Sequence, residues 1–89
     1  SNENKEKVTK STKKFNYIIK VADFYYKDSA NLVKERIMAD TKIKKINIDK
    51  LSINTFRLSL GPYKSLKNLR KDFEDMEDLY FENLELLKQ

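Results

Sequence analysis

The chain has 89 residues, 39% of them apolar, and a formal charge of +5; a chain this short buries only about 60% of its unfolded surface, enough for one small domain with one core. Neither cysteine nor histidine occurs, which excludes a disulfide framework, thiolate metal sites and the usual general base. No stretch is apolar enough to read as a membrane span or a secretion signal, so an exported protein would carry its signal upstream.

Residues 1–14 hold one aliphatic side chain, Val8, among Lys, Glu, Asn, Ser and Thr. Such a segment cannot bury enough surface to offset the entropy of ordering, and it reads as a flexible linker. It carries +3, residues 15–64 carry +5 and residues 65–89 carry −3. Sixteen of the nineteen basic residues are Lys and three are Arg, a Lys-rich balance that does not by itself indicate a polyanion partner.

From Phe15 to Asp23 alternation predicts a strand, with Phe15, Tyr17, Ile19 and Val21 towards the core and Asn16, Ile18, Lys20 and Ala22 on the other face. A helix should follow, capped by Asp28 or Ser29 and running to about Asp40, with Ala30, Val33 and Ile37 inward. Thr41 to Asp49 reads as the second strand. Ile46 and Ile48 share a phase that Ile43 breaks, so a bulge or a late start is expected, and Lys45 and Asn47 face away from the helices.

Lys50 to Asn54 closes a hairpin into the third strand, in which Phe56, Leu58 and Leu60 alternate with Thr55, Arg57 and Ser59. The only glycine and the only proline, Gly61 and Pro62, should stop it. Ser65 then caps a helix whose apolar positions Leu66, Leu69, Phe73 and Met76 step by three and four. Its carboxylates, Asp72, Glu74, Asp75, Glu77 and Asp78, read as a solvated face. After a return loop at 79–83, Leu84 and Leu86 alternate with Glu85 and Leu87 in a short last strand.

The two halves repeat one plan. Displaced by about 39 positions, Lys20-Val21-Ala22-Asp23-Phe24 lies over Ser59-Leu60-Gly61-Pro62-Tyr63, and the helix apolar positions match after three extra residues. Two strand-to-helix units in tandem give β-α-β-β-α-β, an α+β ferredoxin-like (RNP-like) sandwich. Right-handed crossovers put the first and third strands at the centre of a four-stranded antiparallel sheet, with both helices on one face. The other face stays open. Its residues by pleat are Asn16, Ile18, Lys20, Lys45, Asn47, Arg57, Ser59, Glu85 and Leu87, polar donors over an apolar floor. Tyr25 and Tyr26 are read either as aromatics that stack on a ligand or, for one of them, as helix packing.

The segment RLSLGPYKS resembles the strand-and-turn signature of the SPOR (sporulation-related repeat) family, R-V-x-V-G-P-F before a polar helix start, and YIIKVADF resembles its opening strand, Y-x-V-Q-V-G-A-F. The likeness spans residues 15–88, leaving 15–89 as the domain. Lys20 stands where the family has Gln, Ala22 where it has Gly and Tyr63 where it has Phe. Ala22 implies a backbone that needs no positive φ at that point.

The resemblance implies a non-catalytic module that binds peptidoglycan glycan strands lacking stem peptides and carries a larger protein to the bacterial division septum in the periplasm. It implies a glycan site on the open face made by Ile18, Lys20, Asp23, Lys45, Asn47, Arg57, Ser59 and Leu87, with Lys20 and Arg57 suited to the lactyl carboxylates of muramic acid. The expectation is a monomer with no cofactor, no metal, no nucleic-acid ligand and no membrane insertion within this stretch. Catalysis is not expected, because the chain has no phosphate-cradling glycine loop and no nucleophile paired with His or Cys. The alternatives are an RNA-binding module of the same strand order, which calls for outward aromatics on the third strand where Arg57 and Ser59 stand, and a domain that docks partner proteins.

Overall fold

The computed structural model describes residues 14–89. Apart from Lys14, the segment read as a linker lies outside the described residues. The elements are β1 (Tyr17–Phe24), α1 (Lys27–Asp40), β2 (Ile46–Ser52), β3 (Thr55–Tyr63), α2 (Leu66–Asp78) and β4 (Glu85–Lys88). All pairings are antiparallel and the sheet order is β2-β3-β1-β4, the ferredoxin-like arrangement expected from the repeated half.

The core is one cluster in which Ile37 of α1 and Leu69 and Met76 of α2 meet Ile19, Val21, Ile46, Leu58, Leu60 and Tyr63 of the sheet. Both helices therefore cover one face. Phe24, Val33, Ile48, Phe73 and Leu84 pack around this cluster. Leu66 is exposed instead of inward.

Three boundaries differ from expectation, each for a local reason. The first helix begins at Lys27 with Tyr26 as its N-cap and no side-chain cap, so Asp28 lies inside the first turn, where it complements the helix dipole. Thr41 ends α1: its hydroxyl donates to the Ile37 carbonyl at 2.8 Å and accepts from the Ile43 amide at 3.0 Å. That double contact holds 41–45 as a connecting arm, with Ile43 buried, and the second strand starts at Ile46 instead of Thr41, the late start expected from the broken phase of Ile43.

The third strand does not stop at Gly61-Pro62 but runs through both to Tyr63. Tyr17 and Ile19 of β1 stand opposite Tyr63 and Leu60 of β3, so β3 carries an extra residue there, a bulge that takes in the proline without breaking the ladder. Gly61 sits at φ +115°, open to glycine at little cost, and the Gly61-Pro62 peptide is cis. The Gly61 amide donates to the Lys45 carbonyl at 2.9 Å, and its own carbonyl accepts from Asn47 Nδ2 at 3.0 Å. At α2 the expectation holds, since Ser65 accepts from the Asn68 amide at 3.3 Å.

Candidate functional site

Residues paired across neighbouring strands share a face, so the register lays out the open side of the sheet. One row runs Asp49, Arg57, Asp23 across β2, β3 and β1. The next runs Asn47, Ser59, Lys20, Glu85 across all four strands, followed by Ile18 beside Leu87. Seven of the eight expected site residues therefore come together. Lys45 does not: it precedes β2 and lines a groove with Pro62, Tyr63, Lys64 and Ser65 at the Gly-Pro corner.

A second irregularity in the β1–β3 register decides the chemistry. Lys20 pairs with Ser59 but Ala22 pairs with Leu58, which leaves Val21 as an extra residue in β1. The bulge reverses the pleat beyond it. Ala22, expected on the open face, packs against the core, and Asp23 turns onto the open face opposite Arg57.

Asp23 is then the hub of an ionic array. Arg57 donates through Nε to Asp23 Oδ1 at 2.8 Å and through Nη2 to Oδ2 at 3.0 Å, the two-pronged geometry that guanidinium and carboxylate favour. Lys20 Nζ lies 3.6 Å from Asp23 and 3.7 Å from Glu85. The Arg57 hydrogen bond holds the Asp23 carboxyl below the usual carboxylate range against a smaller opposing effect of burial, with the charges of Arg57 and Lys20 adding to it. The same bond pushes Arg57 up. Both cations are mostly covered, with side chains 22% and 26% exposed, and Ser59 between the rows is 1% exposed. The centre of the array is thus packed onto the sheet, while Glu85 stands 58% exposed at its margin.

This arrangement departs from the expected carboxylate clamp. Two donors of Arg57 are already engaged by a carboxylate of the chain itself. Counting Asp49 across from Arg57, two cations stand among three carboxylates. What the array offers a ligand is a fixed alternation of donors and acceptors with little net charge, a pattern suited to hydroxyl and amide groups.

Other expectations resolve away from this face. Tyr25 and Tyr26 are 60% and 63% exposed and stack edge to face with centroids 4.7 Å apart, so neither packs a helix. They line a groove with Ile53 and Phe56 at the hairpin end of the sheet. Asp72 is not simply solvated: it accepts from the buried Tyr63 phenol at 2.6 Å. Burial first and this bond second push the Tyr63 hydroxyl far above its ordinary value.

Asp49 was missed as a site residue, although the step of two from Lys45 through Asn47 leads to it. Among the described residues no group of three or more carboxylates is placed to hold a metal ion, and no helix is long and apolar enough to cross a membrane. No protein-family model matches the chain, and no curated protein or solved structure matches it.

Proposed function

We propose that this domain is a non-catalytic module that binds glycan strands of the bacterial cell wall, stripped of stem peptides, through the open face of the sheet, and so brings a larger protein to the division site. The carrying observation is the array of Lys20, Asp23, Arg57 and Glu85 over buried Ser59 on the two central strands and β4. A face built this way presents hydrogen-bonding groups whose positions are fixed before the ligand arrives, which lowers the entropy lost on binding. The likeness of RLSLGPYKS and YIIKVADF to SPOR motifs supports the same ligand class and a periplasmic setting.

The balance of charge weighs against the RNA-binding alternative. RNA-recognition sheets stack bases on outward aromatics, whereas the register sets Ile18, Lys20, Asp23, Thr55, Arg57 and Ser59 on the open face of β1 and β3, none of them aromatic. Three carboxylates beside two cations also repel phosphate. The test is a pulldown with denuded sacculi against a single-stranded RNA shift at about 150 mM salt, where charges more than about 8 Å apart are largely screened. Retention on sacculi with no RNA shift is expected; tight RNA binding with no retention on sacculi refutes the proposal.

A further inference from the structure

The array does not end at the strands. Beside Lys20 and Asp23 a groove of about 470 Å³ opens between the end of β1 and the loop before β4, lined also by Tyr80, Glu82, Asn83 and Glu85. Three features of it point to one kind of ligand.

The first is Tyr80. Its side chain is 86% exposed, and its backbone is held at φ +68°, a left-handed conformation that residues other than glycine, Asn and Asp rarely take. Three backbone contacts hold this turn at the end of α2: the Leu79 amide donates to the Met76 carbonyl at 3.1 Å, the Tyr80 amide to the Glu77 carbonyl at 2.9 Å, and the Phe81 amide back to Met76 at 3.3 Å. Arg36 braces the same turn, donating to the Leu79 carbonyl at 2.9 Å and lying 5.2 Å over the Phe81 ring. A large aromatic ring is thus displayed in water on a fixed turn, at a position where Asn or Gly would relieve the backbone.

The second is the balance of charge. Lys20 is set among Asp23, Glu82 and Glu85 in the groove wall, and Asp23 is already tied to Arg57. An anionic ligand meets net repulsion here. The third is the supply of hydrogen-bonding groups, since carboxylate oxygens accept from hydroxyls, while the Lys20 ammonium and the Asn83 amide donate.

We propose that this groove is a subsite for an uncharged hexopyranose unit, with the Tyr80 ring against the C–H face of the sugar and Lys20, Asp23, Asn83 and Glu85 on its hydroxyl and acetamido groups. This rests on the glycan-binding reading above and narrows it: the contacts are made to the neutral part of the strand, and the muramic carboxylates lie outside the groove.

Calorimetric titration of the 89-residue chain with three oligosaccharides tests this: denuded glycan, the same glycan with its lactyl carboxylates reduced to alcohols, and an N-acetylglucosamine oligomer of equal length. Reduction should leave affinity within about threefold. The N-acetylglucosamine oligomer should bind comparably. Tyr80→Asn, which suits the left-handed backbone while removing the ring, should weaken all three roughly tenfold, and Tyr80→Phe should restore them, as aromatic contacts contribute on this scale.

If denuded glycan binds but its reduced form does not, or if Tyr80→Asn binds as well as the wild type while Arg57→Ala fails, the subsite is overturned and the glycan-binding face stands. If the wild-type chain binds none of the three sugars, both fail together.

Discussion

Arg57 and Leu58 are neighbours on β3 with opposite duties, so truncating each gives a paired test of the sheet and of the site. Leu58 is fully buried at the centre of the core, paired with Ala22 on one side and Ile48 on the other. Leu58→Ala should cost about 2–5 kcal/mol through lost contacts and the cavity left behind. A domain of this size holds about 5 kcal/mol or somewhat more in total, and each kcal/mol moves its melting temperature by roughly 4–8 °C. The melting temperature should therefore fall by at least about 8 °C.

Arg57→Ala removes a two-pronged ion pair whose members are partly open to solvent, a loss worth about 1 kcal/mol or less after screening. Asp23 is not left without a cation, because Lys20 remains 3.6 Å away. Binding should respond in the reverse order. Losing a charge-assisted donor costs about 1.5–3 kcal/mol, which is roughly ten- to a hundredfold in affinity for denuded glycan. Lys20→Glu should weaken binding at least as much, since it adds a carboxylate beside Asp23 and Glu85. Urea unfolding followed by circular dichroism gives the stability, and calorimetry the affinity. If Arg57→Ala and Lys20→Glu both bind at wild-type affinity, the ligand does not use this face; if Arg57→Ala unfolds the domain while Leu58→Ala does not, the pleat assignment is wrong.

Gly61→Val should cost about 1–3 kcal/mol, because a Cβ at φ +115° would lie 3.0 Å from Cδ2 of the Tyr63 ring and 3.2 Å from the Tyr63 amide nitrogen; an unchanged urea midpoint would show that the corner yields. The depressed Asp23 carboxyl sets a direction for pH. Its stabilisation is fully present above the ordinary aspartate value of about 3.9 and is lost as pH falls through the lower folded value. The urea midpoint should therefore drop below about pH 4 in the wild type and drop less in Asp23→Asn, and equal slopes for the two would mean that the Arg57 pair carries no linkage.

Much of this fold could be read from residue spacing alone. The two phases of β3, the three-and-four spacing of α2 and its Ser65 cap follow from periods that survive in the folded chain, and the repeated strand-to-helix plan led to the correct strand order. Other features escaped. The bulge at Val21 leaves only a faint trace in Val-Ala-Asp-Phe, where strict alternation would send Asp23 inward and Phe24 outward; it moves Ala22 into the core and Asp23 onto the open face. Gly61 and Pro62 carry the composition of a strand end, but pairing of Tyr63 with Tyr17 of β1 extends the ladder past them. Asp72 looked solvated because nothing in the sequence says that the Tyr63 phenol lands beside it.

The same bulge separates the charge of the chain from the charge of the site. A formal +5 suggests a surface that attracts anions, and Lys45, Lys64 and Lys71 do gather in the groove at the Gly-Pro corner, on a different part of the domain from the array. With Asp23 turned outward, the open face sets Lys20 and Arg57 among Asp23, Asp49 and Glu85, and its field is close to neutral. Long-range attraction of a polyanion to the lysines would weaken steeply with salt, whereas short hydrogen bonds from a pre-paired array would change little. The salt dependence of glycan retention therefore reports which surface holds the ligand: a flat response assigns it to the array, and a steep one to the lysine groove, whatever the overall charge of the chain suggests.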